Sequence, residues 1–163
     1  MIYLKNPATA EIRKFQTINN AGFDTNNWVD ITDTDEWHLY ELQNAKQEKL
    51  DEIDKFKKAI LYAPLEYKNF ILPATEKAQN NIVGTLVSSF DKKQWIDIGG
   101  NDIELSRSEF EEIRDIIEKR SYLCYRTEAD LIKNISTAKD AKELAKINIE
   151  KEFAKIDKII NIE

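Results

Sequence analysis

Cysteine is nearly absent from this chain: Cys124 stands alone, so no internal disulfide can form. Histidine is equally scarce, with only His38. One Cys and one His cannot supply the constellation that a usual structural zinc site needs. A basic excess is missing too, since 24 Lys and Arg face 30 Asp and Glu, for a formal net charge of -6. Nearly every Lys sits within a few residues of an acid, which disfavours binding to a phosphate backbone. No apolar run approaches the length of a membrane span. Met1-Ile2-Tyr3-Leu4-Lys5 also lacks the basic-then-apolar order of a signal peptide. The expected setting is a reducing cytoplasm, or a particle packaged from one. No internal repeat or low-complexity linker breaks the chain.

What is present is enough to fold. Hydrophobic residues make up 42% of the 163, charged residues 33%, and three Trp, six Tyr and seven Phe supply large groups worth burying. Ile2-Tyr3-Leu4, the turn Asn6-Pro7-Ala8-Thr9 and Glu11 to Phe15 read as a hairpin. A polar stretch from Asn19 to Asn27 leads to a third strand at Trp28-Val29-Asp30-Ile31. Thr32 to Glu36 is a helix start, with cap-forming side chains and acids in the first turn. The helix is expected from about Asp35 to about Tyr62, with Leu39, Leu42, Ala45, Leu50, Ile53, Phe56 and Ile60 on one broad face. Lys46 and Lys49 interrupt that face, which predicts packed ends and a partly exposed middle, as in a connector.

Beyond Pro64, Leu65 to Leu72 predicts a tight hairpin around Lys68-Asn69. Thr75 caps a helix expected to reach roughly Phe90. Gln94 to Ile98 and Asp102 to Leu105 flank Gly99-Gly100-Asn101 as a second hairpin. Ser106 with Glu109 fits a capping box opening a helix toward Ile135. Ser136-Thr137 is expected to start a further helix, and the tail from Asn148 carries Phe153, Ile156, Ile159 and Ile160 at helical spacing. The expected fold class is α+β: a β-module over 1–34, a connector helix over 35–63, and a helical domain with two hairpins over 64–163.

Catalytic chemistry finds little support. Cys124 lies among Tyr122, Leu123 and Tyr125 and reads as a buried small hydrophobe; although Arg120 and Arg126 flank it, no paired His is in prospect. Asp33 and Asp35, Asp51 and Asp54, Glu109 and Glu112, and Asp97 and Asp102 form carboxylate pairs, but most have a nearby Lys or Arg. Acid-base work needs environments that push two pKa values apart. Gly99-Gly100 precedes a strand rather than a helix, so it reads as a turn and not a phosphate cradle. Ser88, Ser89, Ser106 and Ser108 lack a base partner. An enzyme would need a cleft converging on Asp30, Asp97 or His38, and no enzyme, cofactor or metal is expected. Trp28, Trp37, Tyr40, Tyr67, Phe70 and Trp95 serve core packing, and any exposed member is a candidate partner-binding anchor.

Two segments carry a resemblance. Ile2-Tyr3-Leu4, with Trp28-Val29-Asp30-Ile31-Thr32 running into Asp35-Glu36-Trp37-His38-Leu39, resembles the opening of phage tail-fibre assembly proteins. From about Ala59 to Phe153 the chain has a hairpin, a helix at Gln79-Asn80-Asn81-Ile82 and a Trp-bearing hairpin. The Leu105-Ser106 helix start and the Ala141-Lys142-Glu143-Leu144 stretch follow in that order. This order resembles a domain of unknown function found in tail-associated proteins of phages and prophages, though the present chain is Lys- and Ile-rich where that family favours alanine. The resemblance implies a non-enzymatic accessory protein of a phage-type tail. It would be a fibre-assembly chaperone or adaptor, acting in the bacterial host cytoplasm or incorporated into the virion tail. The alternative is a structural subunit of the tail or fibre, a symmetric homo-oligomer formed through the connector helix. An acidic inhibitor occupying a nucleic-acid site would show carboxylates unbroken by Lys, which this sequence does not offer.

Overall fold

The computed structural model describes residues 2–15 and 28–160; the polar stretch expected at 19–27 lies outside them. Ile2–Lys5 (β1) pairs antiparallel with Ile12–Phe15 (β2) on one side and Val29–Asp30 (β3) on the other. Asn6 makes the turn as its chemistry predicts, its side chain accepting from the Ala8 N–H at 2.9 Å. The third strand is only two residues long because Ile31 and Thr32 leave the ladder to build the next helix start. The Ile31 N–H bonds Tyr3 O at 3.0 Å, and Thr32 Oγ1 accepts from the Tyr3 N–H at 3.0 Å.

Thr34 then takes the cap, its Oγ1 accepting from the Trp37 N–H at 3.2 Å. The helix spans Asp35–Leu61 (α1). Trp37 is buried and stacks on Tyr3 with ring centroids 3.4 Å apart. Leu39, expected on the packed face, is instead 56% exposed. Two residues turn a helix through about 200°, so burying Trp37 carries Leu39 away from the small sheet. The middle of α1 is half-buried at Leu42, Ala45, Lys46, Lys49 and Leu50.

The chain divides into two compact units, Met1–Glu48 and Lys49–Glu163, so the partition falls inside α1 rather than at its ends. In the second unit Ile53 and Leu61 of α1 are buried. Leu65–Tyr67 (β4) and Phe70–Leu72 (β5) form the expected hairpin. Its turn places Lys68 at φ 53°, a left-handed backbone. Thr75 caps Glu76–Val87 (α2). This helix stops three residues short of Phe90 because Ser88 folds back, its N–H and Oγ both bonding Thr85 O, and Phe90 turns to meet Phe110 edge-on at 5.5 Å. Lys92–Ile96 (β6) and Asp102–Ser106 (β7) make the second hairpin.

Ser106 opens Arg107–Thr137 (α3) with the capping box expected. This helix packs on α2, on β7 and on the last helix. Ser136 and Thr137 do not restart a helix. Their hydroxyls bond back to Lys133 O inside α3, and Asp140 caps the short Ala141–Ala145 (α4) instead. Ile149–Ile160 (α5) closes the described chain and buries Ile149, Phe153 and Ile156, a spacing of four and three that makes one stripe. The core of this unit is built from Leu65, Tyr67, Leu72, Ile82, Leu105, Phe110 and Ile113, with several neighbours. The class is α+β, and no helix among the described residues is long and apolar enough to cross a membrane.

Candidate partner-binding surfaces

The carboxyl end of α1 shows how this unit handles polar groups. A helix leaves its last carbonyls without intrahelical donors. Gln79 Nε2 of α2 donates to Leu61 O at 3.1 Å and to Ala74 O at 2.9 Å. Arg120 Nη1 of α3 donates to Ala63 O at 2.6 Å, placing a cation at the negative end of the α1 dipole. Arg120 is only 4% exposed, and burial pushes its pKa down while the nearby Asp157 charge acts against that. Its Nε has no partner among the described residues. One turn further along, Cys124 is fully buried and its thiol is pushed up to about 11, chiefly by burial. Both residues are structural parts of the α3 interior.

A second polar cluster ties the first hairpin to the start of α3. Lys68 Nζ reaches Glu109 Oε1 at 2.6 Å and lies over the Tyr67 ring at 5.1 Å. The Tyr67 hydroxyl donates to Glu112, and burial followed by that bond raises the phenol to about 12. Lys68 first, and then the Ser106 cap, lower Glu109 to about 2. A carboxyl with a folded-state pKa below its ordinary 4.5 stabilises the fold fully above pH 4.5, and the gain is lost as pH falls toward about 2. Glu109→Gln keeps an acceptor for the cap but not the charge. It is expected to cost roughly 1 kcal/mol at neutral pH, with its thermal melting curve converging on that of the parent as pH drops from 4.5 toward 2. A gap that stays constant over that range would rule out the ionised cap as the source.

The six aromatic residues expected as anchors are distributed over both units. In the first, Trp37 is buried, Tyr40 is half-buried and tilted on it at 5.4 Å, and Trp28 is half-buried under the Arg13 guanidinium at 5.5 Å. In the second, Tyr67 is buried, and Phe70 opposite it across the hairpin is half-buried. Trp95 is half-buried with its ring edge-on to Phe110 at 5.4 Å. His38 and Asp30 are exposed in the first unit, and hydrogen bonds from Thr32 hold the Asp30 carboxyl below its usual range. Asp97 belongs to the second unit, where bonds from Asn101 lower it in the same way. No three His, Cys, Asp or Glu side chains converge on a cation position among the described residues.

Two surface features escape a reading centred on aromatics. A groove of about 280 Å³ runs between α2 and α3, with Ile82 and Ile117 lining it together with Asn80, Val83, Arg114 and Ser121. Three isoleucines also stand exposed on the hairpins: Ile71 at 46%, Ile96 at 58% and Ile98 at 55%. Strand alternation could have found Ile71, since its neighbour Leu72 is buried and adjacent strand residues face opposite ways.

No curated protein and no solved structure matches the chain. Residues 44–152 match the model of a family described as a domain of unknown function, DUF4376. This segment takes in the last two thirds of α1 and everything through the start of α5, and the chain belongs to that family.

Proposed function

We propose that the chain is a non-enzymatic, protein-binding accessory protein of a phage-type tail, acting as a fibre-assembly chaperone or adaptor. The observation that supports this reading is the division of labour along α1. Its first turns bury Trp37 in one unit, and its last turns bury Ile53 and Leu61 in another. An adaptor uses two separately packed modules in this way, one for each client. The residues that resemble fibre-assembly proteins lie in the first unit, while the family segment begins inside the same helix, at residue 44. The test is co-expression with a candidate tail-fibre protein from the same genome. Co-elution and a gain in soluble fibre are expected, and independent elution with unchanged fibre solubility would reject the proposal.

One observation favours a second reading, a structural tail subunit that oligomerises through α1. Leu39 is exposed, and Leu42 and Leu50 remain half-buried along the same helix. Light scattering after size exclusion separates the two readings. A concentration-independent trimer or larger closed ring marks the subunit, and a monomer or weak dimer marks the adaptor.

A further inference from the structure

We propose that the corner where the two hairpins meet is a docking surface for a protein segment offering apolar side chains flanked by lysine or arginine. The inference does not depend on the tail reading and would hold for an adaptor of any assembly.

The corner is a fixed frame. The Ile98 N–H donates to Ile71 O at 2.8 Å, which brings the turn of the second hairpin onto the edge of the first. That turn is closed by its own bonds. The Asp97 N–H donates to Asn101 O at 3.0 Å, and the Gly100 N–H donates to Asp97 O at 3.1 Å. The Asp97 carboxylate accepts from the Asn101 N–H at 2.8 Å and from its side-chain amide at 2.9 Å. Gly100 sits at φ 80°, where a side chain would be strained. Elsewhere the hairpins bury their apolar residues: Leu65, Leu72, Ile103 and Leu105 are inside. Ile71, Ile96 and Ile98 are exposed on backbone that is already ordered, so a partner covering them recovers the hydrophobic gain with little ordering cost.

The charges around the corner specify the partner. Residues directly opposite on antiparallel strands project to the same face. Glu66 is opposite Ile71, and Asp102 is opposite Ile96. Lys68 is engaged with Glu109 and Lys92 with Glu104, leaving Glu66 and Asp102 without an ion-pair partner among the described residues. Asp97 adds a third carboxylate, bonded to amides rather than to a cation. Apolar side chains rimmed by uncompensated carboxylates complement apolar side chains rimmed by ammonium or guanidinium groups, and they repel phosphate-bearing surfaces.

The experiment pans a display library of random short peptides on the full chain and then measures binding of the selected peptides. The comparison variants are I96S/I98S and E66K/D102K, all four positions being exposed; parent-like melting verifies their folds. Selected peptides should pair apolar with basic residues and weaken as salt rises. They should bind each variant at least about tenfold more weakly, the scale of a lost anchor. Should I96S/I98S fail to fold, E66K/D102K carries the comparison alone. Failure to select binders, selection of peptides without basic residues, or unchanged binding to the folded variants would overturn the proposal. So would parent self-association that I96S/I98S abolishes, because it assigns the corner to a second copy of this chain.

Discussion

Phe110→Ala is expected to remove about 3–5 kcal/mol of stability, the usual cost of deleting a fully buried phenylalanine. Phe110 is wholly inaccessible, and the rings of Phe90 and Trp95 meet it edge-on at 5.5 and 5.4 Å. Two terms add here. Transfer of the lost ring is one, and the void left between elements that are far apart in sequence is the other. Each aromatic pair is worth roughly 0.5–1.5 kcal/mol beyond its buried area. Against a total stability on the order of 5–15 kcal/mol for a domain, the loss puts the second unit near its threshold. Urea unfolding followed by far-ultraviolet circular dichroism reads the effect, because α2 to α5 all lie in that unit. Phe110→Leu, which fills part of the space, should fall between the parent and the alanine variant. A loss for Phe110→Ala below about 1.5 kcal/mol would mean that the site collapses freely, which close packing forbids.

The second large effect concerns Arg120, where opposing terms are of similar size. Arg120→Ala leaves Ala63 O without its donor, which costs roughly 1–3 kcal/mol, and opens a cavity beside Cys124, so a total of about 2–5 kcal/mol is expected. Arg120→Met also removes the donor and, like alanine, relieves the desolvation of the guanidinium, but it fills the space of the aliphatic stem. Loss of a hydrogen bond from a charged donor costs roughly 1.5–3 kcal/mol. Release of a buried cation whose Nε is unpaired offsets much of that. The methionine variant should therefore lie within about 1.5 kcal/mol of the parent, well above the alanine variant. Melting temperatures of the three proteins at one pH decide the matter. If methionine is as damaging as alanine, the bond to the α1 terminus outweighs both shape and desolvation.

Local chemistry made much of this fold legible. Asn6-Pro7, the Lys68-Asn69 turn, the Thr75 cap and the Ser106-Glu109 box each act through neighbours two to four residues away, and each is found where its residues predict. The discrepancies arise where distant packing overrides a local preference. Ser136 and Thr137 carry good cap side chains, yet they form the last turn of α3 rather than opening a new helix, with Ile135 and the C-cap Ala138 buried on either side. Arg120 carried a sequence signal that a reading centred on Cys124 passes over. It follows Ile113 and Ile117 and precedes Cys124 at spacings of four, three and four, on the buried stripe itself. Its partner Ala63 lies 57 residues away, which no periodicity can supply. Ile98 is hidden for the same reason, since its exposure at the corner follows from a backbone bond to another hairpin.

The small size of the sheets has one more consequence. A sheet of two or three strands exposes nearly as much open edge as it has paired backbone, and open edges can template addition of a foreign strand. The longest described strands here have five residues, and β6 begins with the exposed Lys92 and Lys93. On the three-stranded sheet the outer strand β2 carries Arg13 and Lys14, both exposed. Amyloid-like stacking requires longer, low-charge segments of high β-propensity. Short strands and lysine- or arginine-marked rims disfavour cross-β growth from the open edges of these sheets.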